Sequence, residues 1–470
     1  MKFTLYFIFG MMTFSYAQNI TIKGKADSTL IGKEVVLSDY SDYITYTKVK
    51  ESSDIVDKNG FFELKIQSNI TKPVLINIEN LVGKIYIQPN FVYGIFFPGK
   101  DSLTDNQEGT ETLVDIGIYG KDSTELNALI TDFNNQYNNL FTRRKDMYLS
   151  PAKMNMMFDT FLVTTQKRYK NNHNSYFKSY VNYSFADFYS SISKNEKILY
   201  KQFISNKTIM YSNYEYMKYF NIHFKGYLKA FASTKSGGNI YNSINSLADY
   251  KDLQNQFRAD LSIKNDSLRE LVILKGLYDF YYSADFDKRQ VQSVIEQLQR
   301  ETTIAEHKKI ATQILQSIYQ LQPGALAPDF TAKDKKGLLV DLSSYKGKHI
   351  YLNFFSAQSD VSLKEMQKII DLKKKFNDKI TFISVCLDDS VKSYRDYLKT
   401  NPKQDWIILY NDKNSTAKTN YYIKGLSGFF FINPNMQLAQ SPALMPSEGI
   451  EYKFNALFRP KKHNRIIGIR

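Results

Sequence analysis

The sequence predicts a multidomain chain of α+β and α/β character, with an N-terminal β-sandwich, a helical middle region and a C-terminal α/β domain. Three observations carry this. Short, alternating β-rich runs recur as far as about Gly99. Helical periodicity replaces them from Asp122 onward. The stretch Pro323-Gly324-Ala325-Leu326-Ala327-Pro328 then punctuates the chain, and a strand–turn–helix pattern, Tyr351–Gln367, follows it. At 470 residues and 43% hydrophobic, the chain is too long for one ordinary core and too apolar for disorder to be the default.

At the N-terminus, Lys2 precedes the apolar run Phe3–Met12, and Ser15 and Ala17 are the small residues a signal peptidase reads. Residues 1–17 are therefore read as a secretory signal cut after Ala17. The run is short for a bilayer span, and no cysteine stands at the cleavage point to carry a lipid. The expectation is an exported, soluble protein of the periplasm or cell envelope. The chain has one cysteine, Cys386, so such a protein has no internal disulfide.

The formal charge is +15 and the sequence pI about 9.3. Lysine is spread along the chain, with local exceptions at Lys373–Lys375 and in the basic tail 460–470. A nucleic-acid reader concentrates its charge on one face or motif, and no RNP, zinc-knuckle or helix-turn-helix pattern is present. No nucleic-acid partner is expected. Peripheral contact with an anionic envelope surface is what the charge favours.

Residues 18–120 are assigned to the sandwich. Ile20–Gly24, Glu34–Ser38 and Tyr43–Tyr46 are β-rich. Asp57-Lys58-Asn59-Gly60 separates Ile55-Val56 from Phe61–Leu64; Asn-Gly favours positive φ at both turn positions, which predicts a hairpin. Pro73–Ile78, Lys84–Ile87 and Tyr93–Phe97 continue the strands, and regular spacing predicts two packed sheets. Residues 121–322 are assigned to helices. Asp122-Ser123-Thr124-Glu125 reads as a capping box, with Glu125 reaching back to the cap amide. Ser150-Pro151 starts another helix, whose apolar stripe is Met154, Met157, Phe158, Phe161 and Leu162. Helical patterns recur near Phe185–Phe203, Ser243–Phe257, Ser267–Tyr282 and Val291–Tyr319. The tyrosines and methionines here are read as core, not as a ligand cage.

Residues 323–459 carry a series of separate motifs: Ala327-Pro328-Asp329-Phe330, Val340-Asp341-Leu342-Ser343-Ser344-Tyr345-Lys346-Gly347-Lys348, the apolar run Tyr351–Phe355 before the turn Ser356–Asp360, and Gly425-Leu426-Ser427-Gly428-Phe429-Phe430-Phe431-Ile432-Asn433-Pro434. Together they resemble the thioredoxin-like, thiol–disulfide oxidoreductase (redoxin) proteins of the bacterial envelope. The pattern I-x-G, then D-x-N-G-x-F, in residues 18–120 resembles the β-sandwich that often precedes such domains. The resemblance implies a thioredoxin-like fold for the last third of the chain. It also implies where a Cys-x-x-Cys pair would fall: on Ser359 and Ser362, with Asp360 and Val361 between them and Gln358 in place of the usual tryptophan. The cis-proline that faces the pair in the family falls on Ser427.

Thiol–disulfide exchange needs a thiolate that attacks a sulfur, and a helix N-terminus lowers the pKa of a cysteine placed there. Serine at 359 and 362 supplies hydroxyls instead, so no catalytic residue is assigned. The five histidines, His173, His223, His307, His349 and His463, share no motif with Ser359, and no G-x-S-x-G elbow suggests a hydrolase. Scattered histidines and one cysteine offer no metal site, and no cofactor is expected. Asp388-Asp389 are read as solvated strand-end acids. Cys386 is the alternative redox residue; its neighbours Ile383, Val385 and Leu387 mark a buried strand, where cysteine behaves as a small hydrophobe. Two readings follow: a non-catalytic binding or scaffold protein whose partner is an envelope protein or peptide, or an oxidoreductase or peroxidase working through Cys386 or an external thiol. In a third, the sandwich and helices are the functional part.

Overall fold

The computed structural model describes residues 18–79, 81–99, 112–120, 122–142, 151–191, 195–281, 283, 285–388, 390–412, 415–423 and 428–459. Residues 1–17, which the sequence reading takes as a signal, Asp389, Ser427 and the basic tail 460–470 lie outside the described residues. The chain divides into two compact units. One holds the described residues up to Gly99 and from Leu113 to Gln313; the other begins at Ile314.

The first unit opens with strands β1 (Asn19–Ala26), β2 (Glu34–Tyr40), β3 (Lys48–Ile55), β4 (Phe61–Gln67), β5 (Lys72–Ile78), β6 (Leu81–Ile87), β7 (Val92–Phe97), β8 (Thr112–Val114) and β9 (Gly117–Tyr119). They form two sheets, ordered β4-β1-β7-β9 and β3-β2-β5-β6-β8. Strand alternation sends one set of side chains inward. Thus Phe62, Leu64 and Ile66 of β4 meet Ile20 and Ile22 of β1 and Val35 and Leu37 of β2 in one core.

Two local expectations change here. Tyr43–Tyr46 is a turn, not a strand: the Asp42 carboxylate accepts hydrogen bonds from the Ile44 and Thr45 amides, both at 2.7 Å, and these bonds bend the chain. At Asp57–Gly60 only Gly60 has positive φ (85°). The Asp57 carboxylate binds the amides of Asn59 and Phe61 at 2.8 and 2.7 Å and so selects an Asx-type turn. The strands on either side, β3 and β4, enter different sheets.

Eleven helices are described after the strands: α1 (Leu126–Thr142), α2 (Pro151–Arg168), α3 (Ser175–Ser191), α4 (Glu196–Phe203), α5 (Tyr214–His223), α6 (Tyr227–Ala232), α7 (Ile240–Asn245), α8 (Tyr250–Phe257), α9 (Asp266–Phe280), α10 (Lys288–Glu301) and α11 (Ala305–Gln320). Helix α1 starts later than a capping box would start it. Glu125 reaches forward, accepting from the Ala128 amide at 3.0 Å. The long patterns near Ser243–Phe257 and Val291–Tyr319 are each two helices. Asp249 caps α8, and the chain turns out of helix after Glu301. Helix α9 is buried on every side from Leu268 to Tyr278, as expected of a central helix. Gly276 lets α6 approach it: a Cβ there would lie 2.4 Å from Leu228 Cβ. Asn127 of α1 ties helix to sheet. Its side chain exchanges two 2.8 Å hydrogen bonds with the main chain of Tyr86 in β6.

The second unit contains β10 (Thr331–Lys333), β11 (Leu339–Asp341), β12 (His349–Phe355), α12 (Asp360–Phe376), β13 (Ile380–Cys386), α13 (Val391–Thr400), β14 (Ile407–Tyr410), α14 (Ala417–Asn420), β15 (Gly428–Ile432), β16 (Leu438–Gln440) and α15 (Ile450–Leu457). Its sheet runs β11-β10-β14-β13-β12-β15-β16. The central strands β12, β13 and β14 are parallel, and β15 is antiparallel to β12. This is the thioredoxin-like fold, with both faces covered as a parallel core requires. Leu352, Phe354, Ile383 and Val385 point to one core. Tyr351, Phe355, Phe382 and Cys386 point to the other, beneath Met366 and Ile369 of α12.

Candidate functional site

The candidate site lies where β12 ends and α12 begins. β12 is an interior strand of the sheet, paired to β13 with Phe355 opposite Cys386, so the turn after Phe355 emerges at the carboxyl ends of the parallel strands. Open α/β sheets place ligands there. Ser359 is the N-cap of α12. Its hydroxyl oxygen accepts from the Ser362 amide at 3.4 Å, and its carbonyl accepts from the Leu363 amide at 2.9 Å. A serine here does what N-cap serines do: it satisfies amides the helix cannot pair internally.

The sequence-derived positions do not share one environment. Gln358 is exposed, with Nε2 3.4 Å from Ser393 Oγ. Asp360 is exposed in the first turn, and Val361 is 65% exposed. Ser362 is 2% exposed and faces inward. Ser427 lies outside the described residues. The structure thus brings Ser359 and Ser362 together on the first turn of α12, with Gln358, Asp360 and Val361 on the surface above them.

Asp388 differs from its reading as a solvated acid. It is buried, accepting from Ser356 Oγ at 2.5 Å and from the Ala357 amide at 3.1 Å. Ser356 Oγ in turn accepts from the Gln358 amide at 3.2 Å. A carboxylate just past β13 therefore fixes the shape of the turn. The only sequence signal for it was an acid directly after a buried strand. A second polar chain underlies the turn: Trp406 Nε1 donates to Ser384 Oγ at 2.8 Å, Ser384 donates to Asn353 Oδ1 at 2.5 Å, and Asn353 Nδ2 lies 3.2 Å from Met366 Sδ.

Cys386 is wholly buried at the end of β13. Burial pushes its thiol up to about 12, with the Asp388 charge adding to the rise; the amides of Asp388 and Ala357 offset only part of it. The sulfur is beside the turn but protonated and enclosed, the opposite of an activated cysteine. Among the described residues, no group of three or more His, Cys, Asp or Glu side chains could hold a metal ion. No helix among them is long and apolar enough to cross a membrane.

Residues 323–441 match the AhpC/TSA family. Among characterised proteins, the chain is similar to thiol-disulfide oxidoreductase ResA of Bacillus subtilis (strain 168), 23% identical over 141 residues, covering 30% of this chain and 78% of that protein. Among solved structures, a thiol:disulfide interchange protein from Bacteroides sp. is 20% identical, covers 31% of this chain and 97% of its own, and has a TM-score of 0.29. A thioredoxin-like protein from Bacteroides caccae is 17% identical, covers 55% of this chain and 92% of its own, and has a TM-score of 0.36. On the family match, the C-terminal region of this chain is a redoxin domain of the AhpC/TSA family.

Proposed function

We propose that this is an exported thioredoxin-fold protein that has lost its redox-active cysteines and serves as a non-catalytic binding or scaffold protein of the cell envelope. The observation that carries the reading is chemical. The first turn of α12 presents Ser359 and Ser362 where the family's sulfur pair would fall, and the one cysteine of the chain is buried with a raised pKa. A hydroxyl cannot form the mixed disulfide on which exchange depends. The turn itself remains well built, and Gln358, Asp360 and Val361 expose a small mixed surface at the helix N-terminus. An extended peptide or partner segment is the occupant that surface suits. Asp360 disfavours an anion there.

The test is insulin reduction and peroxide turnover by the intact protein, beside Cys386→Ser. No turnover is expected from either. Turnover that disappears in Cys386→Ser would establish the oxidoreductase alternative instead. The double variant Ser359→Cys/Ser362→Cys is expected to gain a thiol at residue 359 that iodoacetamide alkylates at neutral pH, since the α12 amides stabilise a thiolate at that position.

A further inference from the structure

In the first unit a cleft of about 850 Å³ opens at the ends of β2, β5 and β6, walled by the start of α3 and the segment before α5. It lies within the usual size range of small-molecule sites. Its lining is mostly polar and aromatic, with Asp39, Lys72, Asn174, Tyr176 and Tyr211 among the residues on its walls.

Tyr211 is held from behind by a buried relay. Its hydroxyl is 2.8 Å from His307 Nε2, and His307 Nδ1 is 2.7 Å from Glu270 Oε1. His307 is 0% exposed. Glu270 also accepts from Tyr250 Oη at 2.6 Å and from Thr302. Burial opposes its ionisation, but the hydrogen bonds from His307, Thr302 and Tyr250 outweigh that and hold it below the ordinary carboxylate range. An ionised Glu270 fixes the tautomer: Nδ1–H donates to Glu270, so in neutral His307 Nε2 accepts from Tyr211. The Tyr211 oxygen is left as an acceptor. Tyr176 repeats the device, its hydroxyl donating to buried Glu215 at 3.2 Å.

The deeper charges of the cleft are already spent. Lys72 pairs with Asp39, and both Asp42 oxygens accept from residues 44 and 45. The rim charges, Glu306 and Lys309, are of opposite sign. The charges on the lining, Asp39, Asp42 and Glu306 against Lys72 and Lys309, are thus of mixed sign and form no single-sign cluster for a charged ligand. β2, β5 and β6 are interior strands of their sheet, so no free edge is present to take up a peptide strand. A polar wall of tyrosines and amides suits a neutral molecule with many hydroxyls and apolar ring faces.

We infer that this cleft binds a neutral oligosaccharide, with the Tyr211 oxygen accepting a hydrogen bond from a sugar hydroxyl. The test is saturation-transfer NMR on the full chain with cellotriose, maltotriose, triacetylchitotriose and xylotriose, and with an alanine-rich pentapeptide as the rival probe. At least one trisaccharide is expected to bind. Tyr211→Phe is expected to weaken it about tenfold, the loss of one well-placed hydrogen bond, with an unchanged circular dichroism spectrum. Lys309→Ala, at the exposed rim, is expected to weaken it roughly threefold, and it serves if Tyr211→Phe disturbs the fold. Lys403→Ala, exposed in the other unit, is expected to leave binding unchanged. No transfer to any trisaccharide, transfer to the pentapeptide alone, or native affinity in both cleft variants would each overturn the inference.

Discussion

The turn at the start of α12 and the cleft of the first unit are built in opposite ways. The turn is made of neighbours in sequence: Ser356, Ala357, Gln358 and Ser359 are consecutive, and one distant residue, Asp388, ties them down. The cleft relay is made of strangers. Tyr211 and His307 are 96 residues apart, and His307 and Glu270 are 37 apart. The turn can be read from a short motif. The relay has no motif, because only packing brings its members together. Local pattern therefore outlines a candidate site made of neighbours in sequence, while a polar site assembled by tertiary packing leaves no trace in the chain.

Four variants sharpen this contrast, and one intrinsic probe helps to read them. The single tryptophan, Trp406, lies in the second unit, so its fluorescence follows that unit while circular dichroism follows both. His307→Ala has the largest expected effect, a loss of about 3 kcal/mol, because it leaves Glu270 charged and short of a partner in the interior. The urea transition seen by circular dichroism is expected to move, and the Trp406 transition to stay. Asp388→Ala acts on the other unit: about 2 kcal/mol is expected to be lost from the Trp406 transition and from that unit's share of the circular dichroism change, since the Ser356 hydroxyl and the Ala357 amide lose their acceptor. If the Trp406 transition moves in His307→Ala, the two sites do not belong to separately unfolding units.

Two buried glutamates give the next test, through pH. Burial raises the pKa of Glu215, only partly offset by the hydroxyls of Tyr86 and Tyr176 and the charge of Lys84. An acid whose folded pKa is raised favours the folded state most when protonated, so its contribution declines as pH rises through that raised value. Glu215→Gln is expected to flatten this decline in the thermal midpoint as pH rises above the ordinary carboxylate range. Glu270, held low, has the opposite sign: its contribution is present at neutral pH and lost as pH falls below the ordinary carboxylate range. A midpoint profile unchanged by Glu215→Gln would remove Glu215 from the account. The smallest effect is expected at the turn surface. Gln358→Ala is exposed and is expected to stay within about 0.5 kcal/mol of the native protein.

Much of the fold was legible because each element announces itself over a few residues. The alternation Phe62, Leu64, Ile66 says strand, and the largely apolar run Tyr351–Phe355 with a small polar turn after it says buried strand leading to helix. Expectations failed where a single side chain overrode the local pattern. Asp42 turns the β-rich Tyr43–Tyr46 into a loop, Asp57 selects a different turn at Asn59-Gly60, and Glu125 caps its helix by reaching forward. In each case a carboxylate found main-chain amides within a few residues, a competition that propensity does not register.

By itself the chain determined that a redoxin-type domain lies in its C-terminal region and that serines stand at 359 and 362, ahead of and within a helical pattern. These follow from residue identity and short spacing. Only the tertiary structure decided that Asp388 turns inward to hold the turn before α12, that Cys386 is wholly buried with a raised pKa, and that Tyr211, His307 and Glu270 meet at all. The reason is physical: burial and hydrogen-bond partnership depend on which distant segments pack together, and these two quantities set the charge and reactivity of a side chain.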